Sequence, residues 1–201
     1  MKKILIVIIA VLGMVVNANA QKVKLGAKAG LNINTLSKSK DFVYENYSSA
    51  VSFHVGAVAE ITISEKFSFQ PELIYSAQGA KVKFNISNEG TFKLNYLNVP
   101  LLTKYYVADR FSVEVGPKIG FLLSAEQIVD SNSQDYKDFL KTIDFGLSFG
   151  VSYALDDTGL NFGARYNLGF SNILDSPVYG EESGTYSIKN SVLQISVGYL
   201  F

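Results

Sequence analysis

The 201-residue chain has no cysteine, which excludes disulfides, thiol catalysis, thiolate metal sites and a lipoprotein anchor. Its 18 basic and 18 acidic residues balance, so no basic excess points to nucleic acid. With 14 phenylalanines, 12 tyrosines and 16 glycines, and no long polar linker, the composition suits a single β-rich domain.

Met1-Lys2-Lys3, the apolar run from Ile4 to Val16 and the small-residue stretch Ala18-Asn19-Ala20 form the three regions of a secretory signal peptide. Residues 1–20 are therefore expected to be a cleaved leader and residues 21–201 the mature domain, with 16 basic against 18 acidic residues once Lys2 and Lys3 are lost. A retained transmembrane helix is the rival reading, but the run is short and ends at an A-x-A site.

From Lys22 to Asn34, Val23, Leu25, Ala27, Ala29, Leu31 and Ile33 alternate with polar residues and glycines, the period of a first strand. A long polar loop, Thr35 to Ala50, precedes a second strand from Val51 to Ile63, and the tight reversal Ser64-Glu65-Lys66 leads to a third beginning at Phe67. The second long connection runs from about Gly79 to Gly90. A fourth strand then begins near Phe92 and includes Tyr96 to Tyr106, long enough to cross a bilayer as a tilted strand despite Pro100. Ala108-Asp109-Arg110 turns the chain into a fifth strand through Phe121, and Ser124 to Lys141 is the third long loop.

A sixth strand spans Thr142 to Leu155, with Ile143, Phe145, Leu147, Phe149, Val151 and Tyr153 on one face. Asp156-Asp157-Thr158-Gly159 has turn chemistry, and the seventh strand runs from Leu160 to Phe170. After a fourth long loop, Ser171 to Thr185, the eighth strand closes the chain from Leu193 to Phe201. Long and short connections alternate as in an antiparallel up-and-down outer-membrane barrel, which puts both termini in the periplasm.

A soluble barrel would bury the apolar face instead. Volume excludes it: an eight-stranded barrel has an interior just wide enough for side chains, and about five large apolar residues per strand are too bulky to fit there. The Gly, Ser and Asn face fits a narrow lumen, and the apolar face fits lipid. The expected fold is all-β, an eight-stranded transmembrane barrel.

The stretches Gln70-Pro71-Glu72-Leu73-Ile74-Tyr75-Ser76-Ala77-Gln78-Gly79 and Tyr96-Leu97-Asn98-Val99-Pro100-Leu101-Leu102-Thr103-Lys104-Tyr105 resemble the PorT-type outer-membrane β-barrel family of Bacteroidetes. The resemblance covers essentially the mature chain and implies an outer-membrane barrel of the OmpA/OmpX kind. The family's namesake takes part in type IX secretion, whereas most members have no assigned task, so only the fold is carried over. The terminal Tyr199-x-Phe201 looks like the aromatic signal read by the barrel-assembly machinery.

Chemistry is thinly signalled. Ser52 and the only histidine, His54, share a face, the minimum for a hydrolase of the lipid A deacylase kind. Residues two apart on a strand meet only obliquely, however, and Glu60 is too far along to orient the imidazole. A lumen-rim histidine bonded to loop groups or water is the simpler reading. One histidine argues against a histidine-based metal site, and Asp130, Asp135, Glu181 and Glu182 have no EF-hand spacing, so neither metal nor cofactor is expected.

The inward face should carry Lys28, Lys104, Lys118 and Arg165 against Glu60, Glu72, Glu114 and Asp144. Balanced charge in a narrow lumen is better suited to a plugging ion-pair network than to a porin-like small-solute pore, which would favour one sign. Partners are then outer-membrane lipid and an external protein or glycan met by loop aromatics, with Tyr44, Tyr47, Tyr136, Phe139, Tyr179 and Tyr186 as candidates. The turn near Asp109 sets Lys104 opposite Glu114 and predicts an ion pair between them. It also sets Pro100 against Lys118 and Pro117 against Leu101, and so predicts a gap in the ladder.

Overall fold

The computed structural model describes residues 23–38, 47–83, 89–129, 132–155, 158–175 and 188–201; the expected leader lies outside them. Among the described residues nine strands form: β1 (Val23–Lys38), β2 (Tyr47–Thr62), β3 (Phe67–Lys83), β4 (Glu89–Ala108), β5 (Phe111–Val129), β6 (Asn132–Asp135), β7 (Ile143–Leu155), β8 (Leu160–Gly169) and β9 (Ile188–Leu200). Eight of them pair antiparallel in the order β4-β3-β2-β1-β9-β8-β7-β5, and β4 pairs back onto β5. The sheet is thereby a closed up-and-down barrel with no free edge in its wall.

Exposure fixes which face is outside. Leu25, Leu31, Phe53, Phe145 and Ile195 are each more than half exposed, whereas Glu72 and Arg165 are 1% and 4% exposed. A water-soluble fold inverts that pattern, so the apolar belt is a lipid face. Aromatic pairs mark the belt, among them Phe67–Tyr105, Phe149–Tyr166 and Tyr199–Phe201, with ring centroids 5.0, 5.6 and 5.3 Å apart.

Several strands outrun the expected boundaries at the long-loop end. β1 continues to Lys38, β2 begins at Tyr47, β3 reaches Lys83 and β9 begins at Ile188. Most of the expected Ser124–Lys141 loop is ordered as the end of β5, the short strand β6 and a 3-10 turn at Lys137–Phe139. Beyond the lipid the outward face need no longer be apolar, and Lys81, Lys93 and Glu126 stand on it, so the alternation that marks a membrane strand fades while the backbone ladder continues.

The β4–β5 register agrees with the turn near Asp109: Lys104 faces Glu114 and Pro100 faces Lys118. Pairing stops at Pro100 and resumes at Thr103–Val115 in unchanged register. The interruption leaves Leu101 and Leu102 unpaired opposite Gly116 and Pro117, because proline supplies no N–H to the ladder. The β3–β4 ladder likewise passes from Pro71–Leu101 to Ile74–Asn98. Where a partner N–H is missing, Gly116 lets the strands stay close: a Cβ there would collide with the Leu101 carbonyl.

Candidate functional site

The candidate site is the lumen, built by inward-pointing residues of alternating strand positions. At its centre, Arg165 on β8 reaches Glu72 on β3 through Nη1–Oε2 and Nη2–Oε1 contacts of 2.6 and 2.9 Å, and donates from Nε to Glu114 Oε1 on β5 at 2.7 Å. Lys28 on β1 and Gln70 donate to Glu72 Oε1 at 2.9 and 2.6 Å. In the ring, β1, β3, β5 and β8 lie at quarter-turn intervals, so this clamp ties four sides of the wall across the lumen. The planar guanidinium suits that geometry because it offers forked donors in two directions.

Towards the end where β1 begins and β9 finishes, Lys104 Nζ donates to Glu60 Oε2 at 2.8 Å, and the Tyr106 hydroxyl also donates to Glu60. They floor an open vestibule of about 1000 Å³ rimmed by Lys24, Lys66 and Phe201. Lys118 pairs with Asp144 at 2.9 Å. The expected Lys104–Glu114 ion pair does not form, although the two residues are opposed in the ladder: Lys104 is taken by Glu60 and Glu114 by Arg165. Tilted strands in a narrow barrel bring side chains of non-adjacent strands to the same depth, and depth decides the partner.

Above the clamp, His54 is buried and its Nδ1 lies 2.8 Å from Asn32 Oδ1. Asn32 Nδ2 is committed to Phe53 O, Ser76 Oγ and Ala77 O at 3.0, 3.0 and 2.7 Å, and Oδ1 also accepts from Gln194. The amide orientation is thereby settled, so His54 Nδ1 carries the proton. Ser52 Oγ donates to Ala77 O at 2.5 Å and accepts from Asn34 Nδ2 at 2.7 Å. Ser52 and His54 therefore form no nucleophile–base couple, and an amide stands where a carboxylate would orient the imidazole.

At the long-loop end Leu94, Tyr96, Leu122, Ala125, Ile173 and Ile188 form a buried apolar cluster, with Tyr136, Leu140 and Leu174 packed against it. Tyr136 meets Phe92 edge-on at 5.8 Å and Phe139 at 5.3 Å, so these two loop aromatics take part in packing at the mouth. The structure gives no side-chain placement for Tyr47, and Tyr44, Tyr179, Tyr186, Asp130, Glu181 and Glu182 lie outside the described residues. Asp135 is exposed and accepts from the Lys137 backbone N–H at 2.8 Å. Tyr199 and Phe201 face outward at the terminal end, 44% and 78% exposed. Among the described residues no three His, Asp or Glu side chains gather as a metal site.

Alternation alone missed Gln70 and Tyr106 as partners of the charged groups, and it missed the apolar mouth. The inward parity of Gln70, Leu94 and Leu122 was the available signal.

Among solved structures, neisserial surface protein A is similar to this chain with a TM-score of 0.58 and 16% identity, over 90% of this chain and 99% of that one. The attachment invasion locus protein Ail of Yersinia pestis, captured with the heparin analogue sucrose octasulfate, is similar with a TM-score of 0.53 and 13% identity, over 90% and 99%. At these identities the likeness is one of fold. A search of curated proteins finds no significant match. Residues 19–175 match the family described as "Outer membrane protein beta-barrel domain". With charge inside, an apolar belt outside, a closed ring of eight strands and that match over most of its length, the chain belongs to this family and is an outer-membrane β-barrel protein.

Proposed function

We propose that the protein is a closed barrel that acts as a scaffold or interaction platform, presenting its long-loop end to an external protein or glycan. The observation that carries this reading is the clamp of Arg165, Glu72, Glu114 and Lys28, which crosses the lumen from four sides. Buried, mutually neutralising charges leave no one-signed lining to draw ions through.

In the same reading residues 1–20 are the leader, residues 21–201 the mature barrel, and both termini face the periplasm. The alternation of long and short connections supports that sidedness. Outward-facing Tyr199 and Phe201 are suited to recognition by the barrel-assembly machinery. The two proline-bearing motifs at Gln70–Gly79 and Tyr96–Tyr105 support membership of the PorT-type group of Bacteroidetes, and they favour an accessory part in type IX secretion as a second reading.

The test is conductance in planar bilayers. The refolded protein is expected to give no reproducible single-channel steps at moderate voltage; steady steps from wild type would replace this reading with a small-solute pore. Crosslinking at the surface of native cells, with mass spectrometry of the captured species, then identifies the partner.

A further inference from the structure

Across β4, β5 and β7 one inward-facing rung of the wall reads Asn98–Gly120–Asp144, a glycine between two oxygen-bearing side chains. A Cβ on Gly120 would lie 2.7 Å from Asn98 Oδ1, 3.3 Å from Tyr96 Cδ1 and 3.6 Å from Asp144 Cβ. Side chains of β4 and β7 thus bound, from three directions, the space that any residue other than glycine would fill.

Each of these three side chains carries a buried oxygen with no hydrogen-bond partner among the described residues: the Tyr96 hydroxyl, Asn98 Oδ1 and Asp144 Oδ1. All three residues are less than 5% exposed, so bulk solvent does not serve them. The other carboxylate oxygen of Asp144 is taken by Lys118 Nζ at 2.9 Å. Asp144 is near enough to act on the Tyr96 hydroxyl electrostatically, yet the two make no direct bond. Polar groups that face each other beyond direct reach are commonly joined by a water, and buried polar atoms left unpaired are costly.

We propose that the Asn98–Gly120–Asp144 rung binds one ordered water molecule, which accepts from the Tyr96 hydroxyl and donates to Asn98 Oδ1 and Asp144 Oδ1. The count of donors and acceptors closes, since the site offers one donor and two acceptors and a water has two protons to give. A metal cation suits the same oxygens poorly. The Lys118–Asp144 pair is already neutral, so a cation would add an unpaired charge to the interior and face the Lys118 ammonium. The water links β4 to β7 across β5, at the one level of this rung where β5 has no side chain to do so. This assignment is independent of the scaffold reading above.

The test is crystallography of the full barrel at a resolution that shows ordered water elsewhere in the lumen. A density peak about 2.6–3.2 Å from all three oxygens is expected. No peak there, or an Asn98 amide turned so that Nδ2 donates directly to Asp144, overturns the site. A parallel crystal soaked in rubidium chloride separates ion from water. Anomalous density at the same position overturns water in favour of a monovalent cation, and its absence supports water.

A stability comparison in micelles reads the same site. Gly120→Ala and Gly120→Ser place the same Cβ beside Asn98, so their steric costs largely cancel, but only serine brings a hydroxyl to stand for the displaced water. The serine variant should have a folding equilibrium constant about fivefold larger than the alanine variant, the scale of one hydrogen bond. An alanine variant as stable as the serine variant overturns the polar demand at this rung. Heat-modifiable gel mobility verifies folding, and the wild-type crystals decide the question if neither variant folds.

Discussion

Arg165 and Glu72 stand on strands at opposite points of the ring, the greatest separation the wall allows, and yet their side chains meet at 2.6 Å. A contact of that kind sets the bore of the barrel by chemistry as well as by strand number. It also puts two carboxylates and two cations where water is scarce, so removing one partner strands the others.

Arg165→Met should therefore cost about 3–5 kcal/mol, the usual loss when a buried ion pair is broken from one side. Urea unfolding in micelles followed by far-UV circular dichroism checks this. Replacing Arg165, Glu72, Glu114 and Lys28 together by apolar residues of similar size should recover much of the loss, because no charge is then left unpaired.

Lys104 separates ladder register from ion pairing. A double-mutant cycle of Lys104→Met with Glu60→Gln should give a coupling of about 1 kcal/mol or more, and the cycle with Glu114→Gln less than about 0.5 kcal/mol. Larger coupling to Glu114 would contradict the arrangement of the two pairs.

Gly116 is the closest backbone approach beside the proline-interrupted stretch, and a Cβ there meets the Leu101 carbonyl oxygen and the Leu102 Cα. Backbone atoms cannot step aside as a flexible side chain can. Gly116→Ala is expected to lower the folded fraction in heat-modifiable mobility assays. Gly163→Ala, whose new methyl would mainly meet the Ser196 hydroxyl, should lower it less.

His54 should be the Nδ1–H tautomer, since Asn32 offers it an oxygen. Nitrogen-15 spectra of imidazole-labelled protein should show Nε2 as the unprotonated nitrogen at neutral pH. His54→Ala should leave any lipid A deacylation unaltered, whereas its loss in the variant, with activity present in wild type, would restore the hydrolase reading.

Much of the wall was legible in the residues because lipid imposes a strict requirement on one face. Phe145, Phe149 and Val151 had to point one way and Ser148 the other. The Asp109 turn fixed the β4–β5 register for a similar local reason. The pairing of Lys104 was not legible, because it depends on depth across a tilted ring and not on sequence offset. Asn132–Asp135 could not be read as a strand, because a polar strand outside the membrane has no alternation to betray it. The inward apolar mouth of Leu94 and Leu122 was hidden by the same rule that exposed the rest: alternation identifies two faces, but not which levels of the inner one are dry.

The placement of Arg165 also bears on the order in which the lumen reaches charge balance. Glu72 and Glu114 belong to β3 and β5, while their shared guanidinium arrives only with β8, the penultimate strand. A chain truncated before β8 would display two acids with Lys28 as the one cation of the clamp, facing an interior that cannot neutralise them. The internal charge balance of the clamp is thus completed only when the penultimate strand is in place.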